Sequence, residues 1–264
     1  MKNLKKLILV GLAITVFASC GSKDKESASN DASTDKKNTS LVSDGVLDLG
    51  TSADFPPYEF YDDNNKIVGI DAEIAEAVGK KLGMEVKIQD MEFANIIASI
   101  ESGKLDGGIS GLSKTPEREK NVNFSDTYAK SVQKVLVKKD SGYKSPEDLK
   151  GKKIGTQLGT TGEAVSKDEY GEENVQSFNK NSDAVVALNS GKIDAVVLDE
   201  QTVKKFAEAN EGLEVLEKSL ADDEYAIALD KKNDKLLEEV NKAIKELKED
   251  GTIDKIVNKY IESK

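Results

Sequence analysis

Hydrophobic and polar positions along the chain follow two alternating periods, one typical of strands and the other of helices. Apolar residues recur every fourth position from 70 to 82, which predicts an amphipathic helix that ends at Gly83. Apolar runs at 46–49, 85–88 and 105–110 predict strands, and a second helix is predicted around 96–100. Because helices separate these strands, the pattern indicates parallel pairing and an α/β fold class.

The second half of the chain follows the same order of elements. Strands are predicted at 132–138, 153–157, 175–178 and 193–198, and a helix at 183–189. The run Ser-Gly-Lys-Leu-Asp at 102–106 returns as Ser-Gly-Lys-Ile-Asp at 190–194, each time between a helix and a strand. A glycine cap and a turn could produce this by convergence. The shared order of elements favours two lobes of similar topology.

Two amphipathic segments, 236–247 and 253–260, predict helices at the C-terminus that pack back on the first lobe. The chain would then cross between the lobes twice, and a double crossing makes a hinge with a cleft. We predict one lobe from residues 45–130 plus 225–264 and the other from residues 131–224.

The first part of the chain is predicted to lie outside this fold. A basic start, an apolar run at 7–18 and small residues after it indicate a secretory signal peptide over residues 1–19. Cys20 stands where the cleavage site should be, which resembles a bacterial lipobox with a lipidated cysteine, although Phe17 replaces the usual leucine. An ordinary signal peptide with an incidental cysteine is the alternative. Residues 20–44 are polar and predict a disordered tether after the anchor.

Composition narrows the function classes. The net charge of −11 argues against nucleic-acid binding, because a phosphate backbone recruits clustered lysine and arginine. The sequence has no histidine and one cysteine, so we expect no metal site, no cofactor and no intrachain disulfide. Nucleophile-elbow and phosphate-loop motifs are absent from the sequence, although paired carboxylates stay open as enzyme chemistry. The chain is predicted not to be an enzyme.

Two charged residues follow the buried strands at the edge where ligands bind in such sheets. Arg118, the only arginine, comes after the strand at 105–110 and a turn, and its planar fork fits a carboxylate. A surface helix arginine is the alternative. Asp199 directly follows the strand at 193–198, where it could pair with an ammonium group or cap the next helix.

Aromatic and polar side chains near the same strand ends could complete a cleft. Four aromatic residues within seven positions flank the stiff Pro56–Pro57 pair and could be cleft walls or core, and Phe93 could face them. These four residues are Phe55, Tyr58, Phe60 and Tyr61. Polar loops with backbone N–H groups and hydroxyls contain Ser110, Gly111 and Ser113, and, at a helix start, Gln157, Thr160 and Thr161.

An ordered set of motifs resembles the amino-acid-binding proteins of ABC importers. The motifs are Gly-Thr-Ser-Ala-Asp-Phe-Pro-Pro-Tyr-Glu-Phe at 50–60, Val-Gly-Ile-Asp at 68–71, Met-Glu-Phe at 91–93, Ile-Ser-Gly-Leu-Ser-Lys-Thr-Pro-Glu-Arg at 109–118, Asn-Phe-Ser-Asp-Thr-Tyr at 123–128, Gly-Thr-Thr-Gly at 159–162, Asp-Ala-Val-Val-Leu-Asp at 194–199 and Glu-Asp-Gly-Thr at 249–252. The resemblance covers residues 45–262. It implies a type II periplasmic-binding fold, with a mainly parallel sheet flanked by helices in each lobe and hinges near 128–132 and 222–225.

The resemblance also implies residue roles. In such proteins the arginine matching Arg118 holds the ligand carboxylate, helped by the side chain matching Ser113. Backbone around the residues matching Ser110, Gly111, Thr160 and Thr161 assists. The acid matching Asp199 holds the α-ammonium group, and aromatics matching Phe55 and Phe93 flank the ligand side chain.

One departure concerns the ligand side chain. Many relatives that take cationic or glutamine side chains carry an acid where Ser52 stands, which counts against a strict arginine or lysine binder. Gln157 can donate and accept, which favours a polar side chain, and Glu92 could still serve a cation. Ser52, Gln157 and Tyr58 complete the predicted ligand-binding set.

We therefore predict a lipid-anchored, monomeric protein on the outer face of the cytoplasmic membrane. It would capture a free, polar amino acid and deliver it to an ABC permease with its ATPase subunits. The alternative is an enzyme on the same fold, such as a dehydratase of a small carboxylate. A ligand-sensing domain of a larger receptor is a third reading.

Overall fold

The computed structural model describes residues 41–261. The predicted signal peptide, Cys20 and residues 20–40 of the predicted tether lie outside the described residues. Leu41 and Val42, near the end of that predicted tether, are buried in the core of the first lobe, where the Leu41 carbonyl accepts a hydrogen bond from Asn233 Nδ2. Between residues 41 and 261, none of the helices combines the length and the apolar character needed to cross a bilayer.

The strands and helices alternate along the chain as follows. The strands are β1 (Val46–Thr51), β2 (Asp54–Phe55), β3 (Glu59–Tyr61), β4 (Ile67–Val68), β5 (Glu85–Asp90), β6 (Gly107–Gly108), β7 (Val122–Phe124), β8 (Ala129–Lys138), β9 (Ile154–Gln157), β10 (Val175–Phe178), β11 (Ala195–Asp199), β12 (Leu213–Val215), β13 (Ala221–Tyr225) and β14 (Ala228–Asp230). The α-helices are α1 (Ile70–Leu82), α2 (Ile96–Glu101), α3 (Pro116–Glu119), α4 (Thr161–Tyr170), α5 (Asn181–Asn189), α6 (Glu200–Ala209), α7 (Asp234–Glu249) and α8 (Thr252–Ile261).

The first lobe is built on a five-stranded sheet in the order β5-β1-β6-β14-β7. β1 pairs in parallel with β5 and β6, whereas β14 is antiparallel to both of its neighbours. Apolar residues of α1, α7 and α8 share one buried cluster with Leu47 and Leu49 of β1. Helix α2 packs on β6, β7 and β14 with a second cluster that includes Ile96 and Ile100. Burial of these apolar faces supplies most of the stability of this lobe.

The second lobe is built on a mixed sheet in the order β10-β9-β11-β8-β12, with β13 also paired to β8. β9 pairs in parallel with β10 and β11, but β8 is antiparallel to β11, β12 and β13. Helices α5 and α6 cover one side and α4 contacts β9, β10 and β11. The residues of β11 are all buried, as expected for a strand covered on both faces.

The two segments that connect the lobes run side by side. β8 pairs with β13 from Ala129 opposite Tyr225 to Gln133 opposite Ala221. The pattern at 225–229 predicts a single strand, but the structure divides it between β13 and β14. Between these strands the Ala226 and Ile227 N–H groups donate to the Leu112 carbonyl and to Ser125 Oγ. The chain therefore leaves the connection at Tyr225 and enters the sheet of the first lobe at Ala228.

A small third sheet, β2-β3-β4, was not predicted from the sequence. Its strands are two or three residues long and pair antiparallel, with Asp54 opposite Phe60 and Phe60 opposite Val68. Such short strands carry too few positions to show a period in the sequence. The sheet holds the aromatic and acidic residues of the motif at 50–60 beside the cleft.

Candidate ligand-binding site

A cavity lies between the two lobes, at the carboxyl ends of β6, β9 and β11. Most of the residues predicted to bind ligand line it: Phe55, Phe93, Ser110, Gly111, Arg118, Gln157, Thr160, Thr161 and Asp199. The first five belong to the first lobe and the others to the second. The cavity therefore brings together residues far apart in sequence, at the edge where ligands bind in α/β sheets.

Ser52, Ser113 and Tyr58, the other predicted residues, do not line the cavity but contact residues that do. Ser52 Oγ accepts a hydrogen bond of 3.2 Å from Gln157 Nε2. Ser113 Oγ lies 3.4 Å from Thr161 Oγ1. The Tyr58 hydroxyl donates to Asp199 Oδ2 over 3.5 Å. Each of these contacts joins one lobe to the other.

Arg118 lies in α3, whose first turn is capped by Thr115 and opened by Pro116. Its Nη1 donates to the Ser113 carbonyl over 2.7 Å and its Nη2 to the Gly159 carbonyl over 3.0 Å. Its Cζ lies 5.2 Å from the centre of the Phe93 ring. Burial lowers the pKa of Arg118 to about 10, which leaves the side chain positively charged at neutral pH. Two of the five guanidinium N–H groups are used in these bonds, so others remain for a ligand.

Asp199 is fully buried at the end of β11 and caps helix α6. Its Oδ1 accepts hydrogen bonds from the N–H groups of Gln201 and Thr202 at 2.7 and 3.2 Å. Its Oδ2 accepts from the Tyr225 hydroxyl at 2.6 Å. Burial raises the pKa of Asp199, while the hydrogen bond from Tyr225 opposes the rise. Both readings of this residue from the sequence are compatible with this geometry, because the capping carboxylate also lines the cavity.

The loop from Gln157 to Thr161 opens helix α4 toward the cavity. Thr160 Oγ1 accepts from the Glu163 N–H at 3.2 Å and donates to the Gln157 carbonyl at 2.7 Å. Gly159 has a positive φ of 81°, a conformation that glycine adopts without strain. The positive end of the α4 dipole therefore points to the cavity, which suits an anion.

Aromatic rings form one wall of the cavity. The rings of Phe55 and Tyr58 stack with centroids 5.3 Å apart, and Tyr58 meets Tyr225 edge-on at 5.2 Å. Phe55 also packs on Gly111, where an added Cβ would lie only 2.7 Å from Phe55 Cε1. Gly111 thus lets the ring approach the Ser110–Gly111 backbone. Phe60 and Tyr61, the other two aromatics of this cluster, do not line the cavity.

Several cavity residues were missed by sequence reasoning: Glu59, Gln133, Asn181, Val197, Leu198 and Tyr225. Glu59 lies inside the motif at 50–60, and Tyr225 lies in a predicted hinge. The sequence analysis thus included both positions but did not predict that either side chain lines the cavity. Gln133 donates to Asp223 Oδ2 over 2.6 Å across the connecting strands. That pairing depends on the register of β8 with β13, for which the sequence carries no local signal.

A second cavity lies beside the first, where Ser52 of the second cavity accepts a hydrogen bond from Gln157 of the first. It is lined by Ser52, Ala53, Asp54, Asp90, Met91, Glu92, Asn179 and Lys180. Hydrogen bonds between the lobes cross it: Glu92 Oε1 accepts from Asn179 Nδ2 at 2.8 Å, and Asp54 Oδ2 accepts from the Ser182 N–H at 2.9 Å. Its three acids face a single lysine, so this side of the cleft is acidic.

Comparisons with known proteins agree with this architecture. The family model for bacterial extracellular solute-binding proteins, family 3, matches residues 47–263. The arginine-binding extracellular protein ArtP of Bacillus subtilis is 35% identical over 96% of this chain and 96% of its own length. The ABC transporter arginine-binding protein 1 of Escherichia coli is 36% identical over 81% of this chain and 90% of its own.

Solved structures of similar proteins include complexes with amino acids. An amino acid ABC transporter substrate-binding protein, AbpA of Streptococcus pneumoniae, bound to L-arginine, has a TM-score of 0.79 and 38% identity, covering 84% of this chain and 97% of that one. An ancestral arginine-binding protein bound to glutamine has a TM-score of 0.78 and 42% identity, covering 83% and 98%. With a family match over nearly all of the described residues, this chain belongs to family 3 of the bacterial extracellular solute-binding proteins.

Proposed function

We propose that this chain binds a free L-amino acid with a long polar side chain, arginine first, in the cavity between its lobes. The observation that carries the proposal is that Arg118 and Asp199, one from each lobe, line the same cavity. A cation and an anion that line one cavity from opposite lobes suit the carboxylate and the ammonium group of one zwitterion. Contacts to both lobes would stabilise the closed form.

The ligand carboxylate binds the free N–H groups of Arg118, with backbone N–H groups near Ser110–Gly111 and Thr160–Thr161. The ammonium group binds Asp199. None of the ion pairs within residues 41–261 involves Asp199, so a cationic ligand group would compensate its charge. The Phe55 and Phe93 rings flank the ligand side chain.

The side chain of the ligand extends toward Ser52, Gln157 and Asn181. Beyond them lies the acidic second cavity, where Asp54, Asp90 and Glu92 would favour a guanidinium. This acidic side supports arginine even though Ser52 itself is neutral. Glutamine is the second candidate, because Gln157 and Asn181 present amide groups to the cavity and pair with each other over 3.1 Å.

The protein acts by binding and release rather than by turnover, and it passes the amino acid to an ABC permease and its ATPase subunits as a monomer. Its lobes comprise residues 45–130 plus 225–264 and residues 131–224, with the hinge at the paired segments of β8 and β13. Residues 1–19 are a signal peptide, and Cys20 carries the lipid that holds the domain at the outer face of the membrane. The tether is shorter than the predicted 20–44, because Leu41 and Val42 are buried in the first lobe.

Isothermal titration calorimetry with each of the twenty amino acids tests the ligand. Arginine should bind most tightly, with a Kd near the micromolar range, equivalent to about −8 kcal/mol. D-Arginine is the matched control, because with its carboxylate at Arg118 and its ammonium group at Asp199 the inverted centre directs the side chain away from Ser52 and Gln157. Absence of heat with every amino acid would overturn the proposal, as would chemical conversion of the bound amino acid detected by mass spectrometry. Loss of membrane fractionation in Cys20→Ala tests the anchor.

A further inference from the structure

Glu59 and Asp71 form a pair of buried carboxyl groups beside the cavity. Glu59 on β3 is 1% exposed and lines the cavity, and Asp71 in the first turn of α1 is 0% exposed. The two carboxyl groups lie close enough to each other to share a hydrogen bond if one of them carries a proton. Among residues 41–261 no lysine or arginine forms an ion pair with either of them. Two ionised carboxylates in contact at this depth would repel each other without compensation, so one of them holds a proton.

Each carboxyl holds the same loop through a different oxygen. Ser110 Oγ donates to Glu59 Oε1 over 2.6 Å, and the Gly111 N–H donates to Asp71 Oδ2 over 2.7 Å. The Ser52 N–H in turn donates to Ser110 Oγ over 3.0 Å. The pair therefore fixes the direction in which Ser110 and Gly111 face the cavity.

The other oxygen of each carboxyl, Glu59 Oε2 and Asp71 Oδ1, is fully buried and accepts no hydrogen bond from any other group of the described chain. An unsatisfied buried acceptor is costly, and two in one pair would be unusual. A single proton between the two carboxyl groups satisfies both oxygens.

The proton lies mainly on Glu59. Asp71 accepts two hydrogen bonds, from the Gly111 N–H and from the Tyr128 hydroxyl at 2.8 Å, whereas Glu59 accepts only that from Ser110. Burial raises the pKa of Glu59 well above its usual range and that of Asp71 to about 6. The other titratable groups that act on the pair are Tyr58, Tyr128 and Asp199, none of which is cationic.

We propose that Glu59 is a positioning residue whose proton, shared with Asp71, holds the Ser110–Gly111 loop in the conformation that binds the ligand carboxylate. The proposal rests on the proposed function only in assigning Ser110 and Gly111 to the ligand. Glu59 acts through the loop and does not contact the ligand with a charge. Its charge state therefore sets the shape of the site rather than its attraction for cations.

Infrared spectroscopy of the ligand-free protein tests the proton directly. At neutral pH the wild type should show the carbonyl band of a protonated carboxylic acid, and Glu59→Gln should lack it. Glu163→Gln is the matched control, since Glu163 is also buried but is ion-paired with Lys167 at 2.9 Å and should be ionised. Absence of the band from the wild type, or its persistence in Glu59→Gln, would overturn the shared proton.

Calorimetry with arginine and with glutamine tests the positioning role. Glu59→Gln retains an acceptor for Ser110 and a donor for Asp71, so its affinity should stay within about threefold of wild type. Glu59→Ala removes both and should weaken binding of whichever of the two amino acids the wild type binds by about tenfold or more. If Glu59→Gln loses arginine affinity while glutamine affinity persists, Glu59 is an ionised ligand contact and the proposal is wrong.

These measurements separate the two proposals. Should the wild type bind neither amino acid, the proposed ligand fails, while the infrared band still decides whether Glu59 and Asp71 share a proton. Should the wild type bind but show no band, the ligand proposal stands and the proton is refuted. A Glu59→Ala chain that fails to fold leaves the decision to Glu59→Gln, which is isosteric with wild type.

Discussion

The hydroxyl of Tyr225 donates a 2.6 Å hydrogen bond to Oδ2 of Asp199, the carboxylate that we assign to the ligand ammonium group. Tyr225 ends β13, where the chain leaves the connection between the lobes. A residue of the proposed hinge thus stabilises the ionised form of a residue in the cavity. A rearrangement at the hinge that broke this bond would therefore change the charge balance of the site.

Replacing Tyr225 by phenylalanine should shift the pH dependence of ligand binding. Burial raises the pKa of Asp199, and loss of the opposing bond from Tyr225 raises it further. Binding that requires the ionised carboxylate should therefore be lost at a higher pH in Tyr225→Phe than in wild type. Calorimetry from about pH 4 to about pH 7 measures the midpoint. Tyr58→Phe is the control, because its 3.5 Å contact to the same oxygen should matter less; an equal shift in both variants would contradict the assignment.

Arg118→Lys should weaken ligand binding although the charge is kept. Lysine lacks the planar fork that can bond the Ser113 and Gly159 carbonyls and a carboxylate at once. Loss of one or two charge-assisted hydrogen bonds, at about 1.5–3 kcal/mol each, predicts a Kd at least tenfold higher. Arg118→Ala should abolish binding. Titration calorimetry checks both.

The control for the arginine variants is Lys114→Ala, four residues away. Lys114 pairs with Glu119 at 3.1 Å on the surface of the first lobe, outside the cavity. An exposed ion pair contributes little, about 0–1 kcal/mol, so stability and affinity should both stay near wild type. Micromolar affinity retained by Arg118→Ala would remove this residue from the site.

Gly111→Ala should disturb the site more than an equivalent change elsewhere. Gly111 has a φ of 51°, and an alanine Cβ would lie 2.7 Å from the ring of Phe55. Gly103→Ala is a matched control, since its φ is 71° but no atom lies within 4 Å of the added Cβ. Both variants should lose roughly 1 kcal/mol of unfolding free energy through the left-handed backbone. Only Gly111→Ala should also lose ligand affinity, because Phe55 must move.

The apolar pattern of the sequence predicted where several strands lie, but not always which of their residues pair. The apolar run at 175–178 predicts a strand, and β10 has these bounds. The run at 105–110 predicts a longer strand than β6, which keeps only Gly107 and Gly108 in the ladder. Apolar content marks burial in that segment, but which residues pair depends on the partners β1 and β14 on either side.

The sequence predicted those cavity residues that follow the end of a strand or lie in one of the motifs. Arg118 and Asp199 were chosen because each follows a buried strand, and both line one cavity; their roles toward a ligand stay predictions. Glu59 was not predicted as a cavity residue. Its neighbours in the sequence are aromatic, and nothing in that local pattern indicates that the side chain is buried against Asp71, twelve positions away in α1. Such pairings follow from how β3 packs on α1 and cannot be derived from periodicity.

The shared proton of Glu59 and Asp71 also predicts how the stability of the protein depends on pH. Burial raises the pKa of Asp71 from 3.8 to about 6 and that of Glu59 well above 4.5, so the folded protein holds protons that the unfolded chain releases. Stability from such groups is complete below the unfolded values and falls as the pH rises toward the folded ones. Glu59→Gln removes one of the two groups and so loses less stability than wild type as the pH rises. The difference in unfolding free energy, Glu59→Gln minus wild type, should therefore increase above about pH 4.5.

Urea unfolding of both proteins at a series of pH values measures this difference, and Glu163→Gln supplies a control of opposite sign. Burial raises the pKa of Glu163, but hydrogen bonds from Ser177 and from the Gly159 N–H, together with Lys167, lower it below its usual value. Glu163 therefore stabilises the fold above that value and loses this contribution as the pH falls. Wild type should exceed Glu163→Gln most at neutral pH and least in acid. A constant difference between wild type and Glu59→Gln across the series would mean that Glu59 titrates alike in the folded and unfolded chains, contrary to a proton held in the pair.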